Sequence, residues 1–384
     1  MRSYQTTHPW LDFSLDLRRA NYTLWLLLGE AQSKCEHIAG IPLRPGVAER
    51  LHMIYLAKGA LATTAIEGNT LSEEEVFKRI EHGLKLPPSK EYLGQEIDNI
   101  VEACNQIADQ LFNSGSALLC VDEIIKFNGL ILRNLPLEAG IVPGQLREHR
   151  VGVGRYRAVD PEDCGFLLEK LCCWLNENFE EPKQHKIAFG VLRAIIAHLY
   201  LAWIHPFGDG NGRTARLIEF QTLLSCGVPS AAAHLLSNHY NQTRREYYRQ
   251  LEYASESGGD LFPFIEYALQ GFVDGLKEQV DVIRDQQWDV TWRNYVHEKF
   301  KDKTGETHNR RRRLALDLSL DPRPVPMSKL KEITTRTAAA YARKTHKTLV
   351  RDVNFLKQMG LVKVSVDGVR ANREIILAFL PRRL

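Results

Sequence analysis

The sequence has no CxxC pair, and its seven cysteines (Cys35, Cys104, Cys120, Cys164, Cys172, Cys173 and Cys226) are odd in number. That excludes a paired-cysteine framework and a zinc ribbon, and leaves reduced thiols in a cytoplasmic protein as the expectation. The N-terminal stretch MRSYQTTHPWLDF lacks an apolar signal core. The longest apolar run, AFGVLRAIIAHLYLAWI (188–204), is interrupted by Arg193 and His198. It reads as a buried core helix, so no membrane partner is expected. Internal repeats and low-complexity tracts are absent too.

Charge of one sign is not in excess over the whole chain, which carries a net +3 over 384 residues. The balance hides a split. Residues 305–384 hold 18 Lys+Arg against 7 Asp+Glu, or +11, and the remainder is −8. An acidic body with a basic C-terminal module fits that distribution. Apolar content of 44% and charged content of 25% are ordinary for a globular protein of two or three domains.

Periodicity and stop signals predict a mainly α fold. Helices are expected from about Ala20 to Ala39, from Gly46 toward Gly68, and after Ser72, where Glu75 completes a capping box. Others follow at 95–112, 121–132, 163–178, 185–204, 212–225, 241–256 and 260–280. Between them GQLREHRVGVGRYRAVDPED (144–163) alternates from His149 to Tyr156, as a short β-hairpin would. Beyond a connecting helical stretch, DPRPVP (321–326) reads as a linker. Three helices and a ribbon turning at Asp367-Gly368 then outline a winged helix-turn-helix.

The most informative stretch is HPFGDGNGRTAR (205–216). Pro206 ends the apolar helix and leaves His205 at its C-terminal end. Gly208-Asp209-Gly210-Asn211-Gly212 can form a nest of inward N–H groups. The following helix turns its N-terminal dipole to the same place. Arg213 and Arg216, three apart, share a helix face and suit phosphate oxygens. Asp209 offers a hard oxygen for Mg²⁺, and His205 is the base whose pKa suits a hydroxyl proton. Neither the P-loop nor the dinucleotide fingerprint is present. A structural histidine in a Gly-rich loop would explain far fewer of these positions.

These residues resemble the Fic family signature HPFx[D/E]GNGRxxR. The resemblance implies a helical Fic core, ATP and Mg²⁺ at one site, and transfer of AMP to a Ser, Thr or Tyr hydroxyl of a protein. His205 would be the base and Asp209 the metal ligand. Gly210, Asn211, Gly212, Arg213, Thr214, Ala215 and Arg216 would hold the nucleotide, with Arg216 on the γ-phosphate. Glycine at 210 and 212, where phosphorylating relatives carry Ala and Lys, favours nucleotidyl transfer. A second stretch, TTAIEGN (63–69), looks like the family's inhibitory motif, carried by Thr63, Glu67 and Gly68. It implies that Glu67 pairs with Arg216 and blocks productive ATP. Tyr247 and Tyr248 resemble residues bordering the nucleotide, with only one expected to line the site. The hairpin at 149–158 would clamp the target protein.

The expected layout is a helical N-terminal region carrying the inhibitory motif (1–118), a Fic core (119–280), a connecting segment (281–320) and a winged helix-turn-helix domain (321–384). Three readings stay open: another nucleotide donor or removal of AMP, a homodimer, and DNA binding through the basic module. In the last, the Fic core would serve as a nucleotide sensor within a DNA-binding regulator. Lys344, Lys347, Arg351 and Lys357 on the recognition helix and Arg370 and Arg373 on the wing would then face DNA. His198, two turns before His205, is expected to be a hydrogen-bonded core histidine.

Overall fold

The computed structural model describes residues 2–43, 45–114, 118–178 and 183–377. They form two compact units, Met1–Val280 and Asp281–Leu384. The expected mainly α architecture is found, with two small antiparallel hairpins.

The first unit contains α1 (Tyr4–Thr7), α2 (Tyr22–Gly40), α3 (Pro45–Ala65), α4 (Glu73–His82), α5 (Glu91–Ser114) and α6 (Val121–Ile131). The hairpin β1 (Gly152–Val153) and β2 (Tyr156–Arg157) follows. After it come α7 (Pro161–Cys173), α8 (Lys186–Ile204), α9 (Asn211–Ser225), α10 (Leu235–Gln242) and α11 (Arg244–Glu256). The unit boundary falls within α12 (Phe262–Lys299). Helix α8 is apolar on every side and packs against α9, α2 and α7. Only Lys186, Phe189, Arg193 and Ala202 of its residues escape burial, so it is the central core helix. The capping box on α4 is present: Ser72 Oγ accepts from Glu75 N–H, and Glu75 accepts from Ser72 N–H.

Two boundaries differ from the sequence-based reading. The helix expected over 241–256 is broken at Thr243, whose φ of −114° is non-helical. Its hydroxyl donates to the His239 carbonyl at 2.7 Å, sharing that acceptor with its own N–H at 3.0 Å, and meets the Tyr267 hydroxyl at 2.6 Å. The helix expected to stop near 280 continues to Lys299, since no breaker lies between.

The second unit contains the C-terminal part of α12, α13 (Glu306–Asp317), α14 (Thr335–Tyr341) and α15 (His346–Gln358). Strands β3 (Val362–Ser365) and β4 (Gly368–Ala371) pair antiparallel. Residues 281–320, expected to connect, contribute Trp292, Val296, Phe300, Leu314 and Leu318 to the same core as Leu349, Val353, Leu356 and Val369. The DPRPVP stretch is tied down as well, since Val325 bridges Val369 in both directions. That close approach requires glycine at 368, where φ is +138° and a Cβ would stand 2.3 Å from the Val325 carbonyl oxygen. Asp352, buried, joins three elements: Arg310 Nε donates to it at 2.9 Å, Arg311 Nε at 2.6 Å and the Tyr341 hydroxyl at 2.9 Å.

Candidate active site

A cleft of about 450 Å³ opens in the first unit where four segments meet: the turn after α3, the loop 205–212, the β1–β2 hairpin and α11. His205 caps α8 in the left-handed region, φ 49° and ψ 58°, with its N–H donating to Leu201 at 2.9 Å. A side chain rarely adopts that backbone, and functional sites are where such strain concentrates. The turn swings the imidazole off the helix axis into the cleft. Its Nδ1 lies 3.4 Å from the Ala202 carbonyl oxygen, which favours a proton on Nδ1 and leaves the Nε2 lone pair free. Burial pushes its pKa down to about 4 and the Arg147 cation adds to this, against the raising effects of the Ala202 carbonyl, Glu67 and Asp209.

The loop beyond is closed by Asn211. Its Oδ1 accepts from Phe207 N–H at 2.9 Å and its Nδ2 donates to the Phe207 carbonyl at 2.9 Å. The Asn211 side chain therefore shapes the loop rather than reaching for a ligand. Gly210 stands at φ +77° as the N-cap of α9, and Gly212 lines the cleft two residues on. Asp209 is half-exposed; its Oδ1 accepts from Gly210 N–H at 2.5 Å and faces Arg213 Nη2 at 3.2 Å. Thr214 and Ala215 are fully buried and do not line the cleft. Successive helix residues point in different directions, and these two face the core.

Arg216 does not line the cleft itself; it lies behind Glu67, which does, and has 1% of its side chain exposed. Its Nη2 donates to Glu67 Oε1 at 2.5 Å and to the Thr63 carbonyl at 2.9 Å. Nε and Nη1 have no partner among the described residues. Burial alone would raise the Glu67 pKa, but the charge and hydrogen bond of Arg216, with Arg213 and His205 behind, hold it below the usual value. Glu67 does not sit on a helix face with Thr63: α3 ends at Ala65 and Glu67 lies in the following turn. Gly68, at φ +112°, allows that turn. Thr63 takes part through its carbonyl.

Arg213 is engaged similarly. Its Nη1 donates to Glu96 Oε1 at 3.0 Å, and Glu96 Oε2 accepts from Asn69 Nδ2 at 2.9 Å. Burial pushes the Glu96 carboxyl above its ordinary pKa, partly offset by Arg213.

Both tyrosines line the cleft, where one was expected. Tyr247 is buried and its hydroxyl meets His198 Nε2 at 2.9 Å; Tyr248, 39% exposed, stands at the rim. Their rings are 5.2 Å apart and tilted, so adjacent residues reach one opening from below and from the side. His198 is fully buried, with Nδ1 3.1 Å from Glu219 Oε2, a core histidine as expected.

Sequence reasoning missed two positioning residues. Arg147 is buried and donates to three carbonyls, His205 at 2.7 Å, His149 at 2.7 Å and Val159 at 2.6 Å. It thereby joins the histidine loop to both ends of the hairpin. Asn128 Nδ2 donates to the Asp209 carbonyl at 2.9 Å, and its Oδ1 accepts from Gly144 N–H at 3.0 Å. An arginine just before an alternating stretch was the only cue to the first. The second carries no local pattern at all.

No group of three or more His, Cys, Asp or Glu suited to a metal ion occurs among the described residues. The half-exposed Asp209 carboxylate fits a different kind of site, one carboxylate completed by phosphate oxygens and water, as Mg²⁺ uses.

Residues 118–223 match the family model described as Fic/DOC family. The chain is 32% identical over 232 residues to the protein adenylyltransferase fic-1 of Caenorhabditis elegans, covering 58% of this chain and 42% of that protein. It is 31% identical over 206 residues to the protein adenylyltransferase Fic of Nematostella vectensis, covering 53% and 44%. The chain thus spans under half the length of these curated relatives. A crystal structure of a Fic family protein from Desulfovibrio desulfuricans superposes with a TM-score of 0.58 at 21% identity, over 91% of this chain and 93% of that one. Fic-1 from Caenorhabditis elegans superposes with a TM-score of 0.55 at 24% identity, over 68% and 73%. At these identities the structural likeness concerns the fold.

Proposed function

We propose that the protein, whose residues 118–223 match the Fic/DOC family model, transfers AMP from ATP to a hydroxyl of a target protein and holds itself inactive through Glu67. The observation that carries this is Arg216. A buried guanidinium with two unpartnered nitrogens, beside a strained histidine and a glycine nest, is a site that an anion would complete.

The cleft residues divide the work. Backbone N–H groups around Gly210 and Gly212, with the start of α9, take the phosphates. Arg213 and Arg216 neutralise them, Arg216 at the γ-phosphate. Tyr247 and Tyr248 border the base. When bound at Asp209, Mg²⁺ would offset charge on the α- and β-phosphates. His205 Nε2 accepts the proton of the target hydroxyl while its oxygen bonds to the α-phosphorus. The bond from that phosphorus to the bridging oxygen breaks, and pyrophosphate leaves. Positioning and charge neutralisation supply most of the rate. The β1–β2 hairpin presents exposed strand edge close to His205, to which an extended target segment can add.

Glu67 supports the inhibitory reading because its carboxylate lies where a γ-phosphate would meet Arg216. The test uses ATP labelled at the α- or the γ-phosphate, with wild type, Glu67→Gly and His205→Ala. The reading requires α-label on protein, enhanced by Glu67→Gly and lost in His205→Ala. Incorporation of γ-label, or equal labelling without His205, would overturn it. Label from UTP in place of ATP would reassign the donor.

A further inference from the structure

We propose that the exposed face of α14 and α15 binds duplex DNA. The argument rests on where the second unit places its charges. Residues 333–359 contain six basic residues, Arg336, Arg343, Lys344, Lys347, Arg351 and Lys357, and all six are exposed. They contain one acidic residue, Asp352, and it is buried against Arg310, Arg311 and Tyr341. The face is therefore cationic without an interspersed acid, unlike an ordinary solvated surface.

The structure also relocates the basic surface. Arg310 and Arg311 of the four-arginine run are committed to Asp352. On β4, Arg370 pairs with Glu374 at 2.6 Å, and just beyond the ribbon Arg373 pairs with Asp289 at 2.8 Å. None of the six helix-face cations has an ion pair among the described residues. The nearest exposed acids in sequence are Glu332 before the face and Asp367 at the ribbon tip.

Helix geometry favours a duplex. Helices α14 and α15 are joined by the short turn 342–345, and the 13 residues of α15 span about 20 Å, long enough to lie along a major groove. Lys347, Arg351 and Asn354 recur at helical spacing on its exposed side. Arg and Asn are the side chains that pair two-pronged with guanine and adenine edges. A single strand would need exposed rings for stacking. Tyr341 and Phe355 of this stretch pack against the core instead, and among the described residues His346 is its one exposed ring.

The test measures fluorescence anisotropy of a duplex of about 30 base pairs with the full chain, between about 50 and 200 mM salt. With roughly four to six phosphates engaged, log affinity should fall against log salt with a slope of about −3.5 to −5.5. Lys347→Ala should reduce the slope by about one. Lys347→Glu with Arg351→Glu should weaken binding at least tenfold with unchanged melting temperature and circular dichroism. Lys301→Glu, outside the face, should not. His205→Ala should bind DNA as wild type does, which separates this outcome from the fate of the AMP-transfer reading. Absence of binding at the lowest salt would overturn the proposal. So would equal binding by the charge-reversed variant, or tighter binding to the corresponding single strand.

Discussion

Glu67 and Gly212 approach so closely that the second has no room for a side chain: a Cβ on Gly212 would stand 2.2 Å from Glu67 Oε1. The carboxylate thus rests on the glycine nest itself as well as on Arg216. A single side chain fills both halves of the proposed anion site, the backbone half and the guanidinium half.

Glu67→Gly should therefore act on two measurements at once. Self-labelling from α-labelled ATP should rise at least tenfold. The melting temperature without nucleotide should fall, because removing one partner of a mostly buried pair leaves the other charge uncompensated. ATP should restore it more strongly in the variant than in wild type, by mass action on the folded state. Equal ATP-induced shifts in the two proteins would show that Glu67 does not compete with the nucleotide.

Arg147 predicts a different signature. Lysine cannot reach the three carbonyls that the guanidinium fork spans. In a Glu67→Gly background, Arg147→Lys should raise KM for the target severalfold and leave ATP affinity nearly unchanged, since the hairpin loses its tie to the His205 loop. Stability should drop by roughly 2–4 kcal/mol as buried carbonyls go unpaired. Parallel loss of affinity for both substrates would assign Arg147 a purely structural role.

The pH profile follows from His205. Its folded pKa is lowered to about 4 from an ordinary 6.5, chiefly by burial. The unprotonated base is then present throughout the neutral range, and kcat/KM for the free enzyme should stay level down to about pH 5. The stability sign is the same: between pH 6.5 and 4 the unfolded chain binds more protons, so this group's contribution is fully present above 6.5 and falls as pH drops toward 4. Glu67 raises the His205 pKa, so its removal should move the acid limb lower still. An acid limb at 6.5 in kcat/KM would show that the imidazole is not desolvated in solution.

In the second unit, Asp352→Asn should lower the melting temperature of that unit alone. Arg310 and Arg311 would face each other without the carboxylate that holds them, a loss of roughly 3–5 kcal/mol for a buried network. Nucleotide-dependent labelling should be unaffected. A unit that melts as in wild type would mean the three hydrogen bonds contribute little net stability.

Much of the cleft was legible because its chemistry is contiguous in sequence. His205, Asp209, Gly212, Arg213 and Arg216 lie within one helix end, one turn and the first turns of the next helix. Their spacing could be converted to geometry without knowing the fold. Glu67 was readable only by resemblance, and the helix end was misplaced by two residues: α3 stops at Ala65, before Glu67, rather than at Gly68. Asn128 and Arg147 were invisible because they act across 81 and 58 residues on backbone carbonyls, which leave no trace in side-chain patterns. Thr214 and Ala215 were drawn in by motif length, whereas the helix turns them inward. Of the three C-terminal helices expected before the ribbon, the last two are found and the first is a single 3-10 turn, Leu330–Glu332. The contribution of Trp292 and Phe300 to that core was not expected, since composition changes at the linker and packing does not.

Arg216 has one of its three guanidinium nitrogens engaged, and the other two face no acceptor among the described residues. Read as a mechanical element, that makes Glu67 a detent rather than a weld. A carboxylate that meets only Nη2 leaves the buried cation short of acceptors. A trigonal array of oxygens would satisfy more of the fork than Glu67 does. Under the inhibition proposed above, Glu67 would then yield to a ligand that offers Arg216 more acceptors.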